Sequence, residues 1–127
     1  MKQQTLAQAI SYSGKGLHSG LEVTMTLKPA PVGSGVVFRR TDLPDTPLIH
    51  GKIEFVSSTV RATTITEAGA QVFTVEHLMA ALNMMGVDNV VIEMNSSEPP
   101  VTDGSAQVFC DLIKQAGLVE QDGERQG

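Results

Sequence analysis

From Leu21 to Leu27 apolar and polar side chains alternate without a break: Leu21, Val23, Met25 and Leu27 against Glu22, Thr24 and Thr26. A period of two puts every second side chain on one face, so this segment fits a half-buried strand and not a helix. Pro29-Ala30-Pro31 ends the run, because proline has no amide hydrogen for a ladder. Thr5 to Ser13 reads as a partner strand, joined through the glycine-rich stretch Gly14 to Gly20. Val36 to Arg40 reads as a third strand, followed by a loop over residues 41–52 that holds Pro44 and Pro47. The β-branched residues 59–66 read as another strand, which turns at Glu67-Ala68-Gly69-Ala70 into Gln71-Val72-Phe73 as a hairpin.

The period then changes. Val75, Leu78, Met79, Leu82 and Met85 recur at helical spacing and stop at Gly86, so a helix runs between Thr74 and that glycine. Met79, Met84, Met85 and Met94 all fall at core-like spacings. Asn89 to Met94 is a compact apolar strand that suits the middle of a sheet. Glu98-Pro99-Pro100-Val101-Thr102 reads as an extended connector into a second helix. That helix is capped by Asp103, striped by Val108, Phe109, Leu112, Ile113 and Ala116, and closed by Gly117. Strands followed by helix, strand and helix predict an α+β fold: a two-layer sandwich, one mostly antiparallel sheet with two helices on one face. Val119 to Gly127 is polar, without a core pattern, and reads as the start of a linker.

Charge narrows the function. The net charge is −5 with a pI near 5.0, and no basic cluster exceeds the pair Arg39-Arg40, which disfavours nucleic acid as a partner. No apolar run approaches the roughly 20 residues of a membrane-spanning helix, and the first residues lack a secretory signal pattern, so a cytoplasmic protein is expected. The single cysteine, Cys110, excludes an internal disulfide and lies in a helical stripe, as a buried structural thiol would.

Chemistry concentrates at Thr74-Val75-Glu76-His77-Leu78. Thr74 has the side chain of an N-cap, and Glu76 then falls in the first turn, where the helix dipole favours negative charge. Glu-His at a helix mouth suits a metal-activated water, with imidazole holding the ion and carboxylate taking the proton. A satisfied helix terminus is the competing reading. The zincin pattern is absent, and His18 and His50, both in loops, read as solvated side chains rather than ligands. Gly14-Lys15-Gly16 lacks phosphate-loop spacing and reads as a turn.

Five ordered stretches carry a resemblance: Gly16 to Gly20, Arg39 to Leu43, Thr74 to Leu82, Gly86 to Glu93, and Asp103 to Ala106. Together they resemble the zinc-dependent UDP-3-O-acyl-N-acetylglucosamine deacetylases of bacterial lipid A synthesis, over the amino-terminal half only. The resemblance implies a scaffold like the second domain of ribosomal protein S5. It places an amino-terminal domain at 1–118 and the start of an interdomain linker at 119–127, with the second domain absent. It implies Glu76 as general base and His77 as ligand of one zinc shared with that second domain, whose His-Lys-x-x-Asp motif this chain lacks. It also implies that His18, in a positioning role, and the cleft-bordering strand Thr59, Val60, Arg61 and Ala62 contribute to substrate binding. The implied substrate is a UDP-linked acylated amino sugar that loses its N-acetyl group. Against this stand two other classes on the same scaffold: a non-catalytic binding module, and a homo-oligomer that covers an apolar face.

Overall fold

The computed structural model describes residues 2–16, 20–51, 56–58, 63–67, 69–100 and 106–124. The strands are β1 (Lys2–Leu6), β2 (Ile10–Lys15), β3 (Glu22–Pro29), β4 (Val36–Arg40), β5 (Leu48–His50), β6 (Val56–Ser58), β7 (Thr63–Glu67), β8 (Ala70–Phe73), β9 (Val90–Met94) and β10 (Leu118–Glu124). The helices are α1 (Glu76–Met85), between β8 and β9, and α2 (Gln107–Ala116), between β9 and β10.

The main sheet has the order β2-β3-β9-β4-β5. Its pairs are antiparallel except β4 with β9, which run parallel from Val36 beside Val90 to Arg40 beside Met94. The apolar run of β9 thus holds the centre, as its sequence predicts. Alternation then sorts the faces. Met25, Leu27, Phe38, Ile49, Val90, Ile92 and Met94 point into one core with Leu78, Ala81 and Leu82 of α1 and Phe109, Leu112 and Ile113 of α2. The opposite face carries hydroxyl pairs, Ser11 with Thr26 at 2.8 Å and Ser13 with Thr24 at 3.1 Å. It also carries Glu93, bound by Lys28 at 2.9 Å and Arg39 at 3.4 Å. A sheet with one apolar and one polar face needs its helices on one side only, and the α+β sandwich follows.

The strands are spread over three sheets rather than one. β6, β7 and β8 form a small antiparallel sheet, and β1 pairs with β10 as a two-stranded ribbon. The ribbon revises the reading of the polar stretch after Leu118, which is a strand as far as Glu124. Its alternation is too polar to show as a strand signal, and it is held from outside itself. Asn89, 2% exposed, donates from Nδ2 to Oε1 of Gln121 at 2.7 Å and to Oε1 of Gln3 at 2.8 Å. Its own Oδ1 accepts from the Gly35 amide at 2.9 Å. Asp88 accepts from the Gln4 amide at 2.8 Å, so Asp88-Asn89 ties β1, β10 and the start of β4 to the core.

Smaller differences have local causes. β3 starts at Glu22, leaving Leu21 70% exposed outside the ladder. The expected loop over 41–52 contains β5, which adds an outer strand to β4. Met84 is 64% exposed, since its place on α1 faces away from Leu78 and Leu82, whereas Met94 is buried and Met79 and Met85 pack at the edge of the core. Cys110 is buried, as its stripe requires. His50 is no solvated loop residue. Glu67 Oε1 accepts from its backbone amide at 2.7 Å and lies 2.8 Å from Nδ1, clamping the small sheet to β5. At the start of the extended connector Glu98 is 1% exposed, and Pro99 and Pro100 are buried. Asp103, expected to cap α2, lies outside the described residues, and Ala106 offers that helix no side-chain cap.

Candidate hydrolytic site at the mouth of the first helix

The β7–β8 hairpin turns through Gly69, whose φ of +80° suits a residue without a Cβ. At its far end the Phe73 amide donates to the Ser97 carbonyl at 2.9 Å, fixing the close of β8 against the segment after β9. Three residues later α1 begins. Between them Val75, fully buried, anchors the turn from below, and its carbonyl accepts the first helical bond from Met79 at 2.9 Å. Glu76 opens the helix half-buried and His77 follows exposed, so the pair sits at the surface rather than inside the core. The carboxylate stands in the first turn, where the free amides and the dipole favour its charge.

Thr74 does not cap this helix. The cap position belongs to Val75, and no side chain makes the capping bond. A capping residue adopts extended backbone, but Thr74 has a φ of +59°. That left-handed turn redirects the chain between β8 and α1 at a cost of about 1–2 kcal/mol for a residue with a Cβ. Its Oγ1 is buried without a hydrogen-bond partner, alone in this among the side chains of the described residues. Leaving a buried hydroxyl unpaired costs about 1–3 kcal/mol.

A second clasp holds the hairpin. Arg40, nearly buried, donates from Nε and Nη2 to the two carboxylate oxygens of Asp42 at 3.0 and 2.6 Å, and from Nη1 to the Gln71 carbonyl at 3.0 Å. The Arg40 hydrogen bonds hold the Asp42 carboxyl below the usual carboxylate range, against the opposing effect of burial. The matched stretch Arg39 to Leu43 is therefore a structural brace between β4 and β8. Arg40 and Asp42 stand two residues apart, a spacing that shares a strand face and could have signalled the pair. The burial of Glu98 left no such signal, because Glu before Pro-Pro reads only as an extended connector.

His18 and Thr59, Val60, Arg61 and Ala62 lie outside the described residues. The stem of the loop that carries His18 is described. The Gly16 amide donates to Leu21 at 2.9 Å, and Gly16 bridges Pro100. Since Ser97 holds Phe73, the segment 97–100 links this stem to the strand that feeds Glu76 and His77. A groove of about 350 Å³ lined by Ser34, Val37, Arg39, Leu48, His50 and Val91 lies on the polar side of the sheet, apart from this pair.

Among the described residues no three His, Cys, Asp or Glu side chains gather as a metal-ligand group. One exposed imidazole beside one carboxylate fits an ion whose remaining ligands come from elsewhere, and does not fit a self-contained site. Fold and site together define an α+β domain that presents a carboxylate–imidazole pair at the mouth of its first helix.

The chain belongs to the UDP-3-O-acyl N-acetylglycosamine deacetylase family, whose model matches residues 3–127. It is 48% identical over 132 residues to the UDP-3-O-acyl-N-acetylglucosamine deacetylase of Francisella tularensis subsp. tularensis, covering 100% of this chain and 46% of that protein. The proteins of the same name from Trichormus variabilis and Hahella chejuensis are 51% and 47% identical over 95% and 98% of this chain, and 43% and 41% of their own lengths. The chain thus spans less than half the length of these relatives. No helix among the described residues is long and apolar enough to cross a membrane.

Proposed function

We propose that this chain is the amino-terminal half of a bacterial, cytoplasmic, zinc-dependent hydrolase that removes the N-acetyl group from UDP-3-O-acyl-N-acetylglucosamine in lipid A biosynthesis. The observation that carries the reading is the Glu76–His77 pair, held at an accessible helix mouth by a chain that spans about half of its deacetylase relatives. His77 offers an imidazole nitrogen as one zinc ligand, and the other ligands belong to the second half. When bound, zinc supplies Lewis acidity, lowering the pKa of water and polarising the acetamide carbonyl. Glu76 accepts the proton of the attacking water at its carboxylate. Val75 and Leu78, both fully buried, anchor the turn so that these side chains keep their aim.

Thr59, Val60, Arg61, Ala62 and His18 are proposed to border the bound UDP-sugar. The site subdivides chemically: the pair acts at the acetamide, and the second half completes the cleft. The direct test joins this chain to the second half that the relatives carry, in one polypeptide or as two added pieces. Tight zinc binding and release of acetate from the UDP-linked acylated amino sugar are expected only when both halves are present. A complete protein that releases no acetate, or that retains zinc equally well without His77, overturns the reading.

A further inference from the structure

We propose that Thr74 is a positioning residue for Glu76, its hydroxyl kept for a hydrogen bond to the Glu76 carboxylate that forms when the site is loaded; this rests on the deacetylase reading above.

Two penalties fall on this one residue. Its φ of +59° lies where glycine sits freely and a β-branched side chain is an outlier. Its Oγ1 is buried with no hydrogen-bond partner. Glycine would relieve the first penalty, and valine, with the same shape, would relieve the second. The ordinary reason for threonine before a helix is a cap, and Thr74 makes none. Asp45 and Thr46 also have positive φ, but they share an exposed turn where no buried group is at stake. At Thr74 the penalties coincide two residues before the base. Backbone outliers cluster at functional sites, and an unpaired buried group calls for a functional explanation.

Chemistry narrows that contact. A hydroxyl donates one hydrogen, and the acceptor proposed to matter here is the carboxylate that must face the attacking water. Held by Thr74, Glu76 keeps one oxygen fixed and turns the other to the reacting water. The left-handed backbone at residue 74 sets the direction in which the chain leaves β8 for α1. Thr74 touches neither substrate nor metal in this scheme and acts through Glu76.

The experiment uses the complete two-half protein with Thr74→Val, Thr74→Ser, Thr74→Gly and Glu76→Gln. Thr74→Val is expected to keep or raise the urea midpoint while kcat falls roughly 10- to 100-fold, with KM and zinc content unchanged. Thr74→Ser restores kcat, Thr74→Gly behaves as Thr74→Val, and Thr74→Val adds no further loss to Glu76→Gln. A lowered urea midpoint in Thr74→Val, normal kcat in that variant, or a loss that multiplies with that of Glu76→Gln each overturns the proposal. A wild-type protein without deacetylase turnover removes the functional reading and takes this inference with it. Full wild-type turnover beside unimpaired Thr74→Val removes this inference alone.

Discussion

Asn89 Nδ2 lies 2.7 Å from Oε1 of Gln121, a hydrogen bond that joins the approach to the central strand with a ribbon strand 32 residues further on. Asn89→Ala removes this bond, the one to Gln3 and the acceptor of the Gly35 amide together. The expected cost is about 3 kcal/mol, since buried groups left unpaired are penalised beyond the bond itself. Urea unfolding checks it, and a loss below about 1 kcal/mol would show that water replaces the network.

That bond also explains what was legible in the sequence. The central strand declared itself through Val90 to Met94, and α1 through Leu78 and Leu82, because burial leaves a periodic apolar trace. β10 left none. Its Glu120, Gln121 and Asp122 are polar, and its partners are the distant β1 and Asn89. The carboxylate–imidazole pair was readable because its chemistry depends on neighbouring residue types. The conformation of Thr74 was not, since its side chain predicts a cap and only the short passage from β8 to α1 imposes the left-handed turn.

Asp42 should govern part of the acid response. Its carboxyl is held below the ordinary range, first by the Arg40 hydrogen bonds, so the unfolded chain binds the proton more readily. The stabilisation is therefore complete above the unfolded pKa and lost as pH falls through the folded one. Asp42→Asn should lower stability by about 1–3 kcal/mol at neutral pH. The gap from wild type should shrink as pH drops from about 5 toward 2. Stability measured across that range in both proteins decides it: a constant gap contradicts the assignment.

Gly123 faces Val32 closely: a Cβ placed there would come within 2.5 Å of Val32 Cγ1. Gly123→Ala should cost about 1 kcal/mol as the two chains part. Because Val32 is 43% exposed, Val32→Ala alone should matter little. Combined, the two changes should recover most of the loss in a double-mutant cycle. Simple additivity would place the strain elsewhere.

His77 and Glu76 should separate in a complete protein. His77→Ala is expected to lose zinc and turnover together, as removal of one of about three ligands would require. Glu76→Gln is expected to keep zinc and lose turnover about 10²–10⁴-fold, as a missing general base does. Metal analysis beside kinetics distinguishes them. Zinc lost equally from both variants would assign the carboxylate to the ion instead.

The parallel pairing of β4 with β9 has a consequence for how this architecture can diversify. Between β5 and β9 the chain leaves the main sheet and returns beside β4, so the Glu76–His77 pair rides on an excursion rather than on that ladder. Lengthening or reshaping that excursion leaves the order of neighbours untouched, provided the Arg40 brace and the Asn89 anchor survive. Selectivity can therefore drift while the foundation stays put.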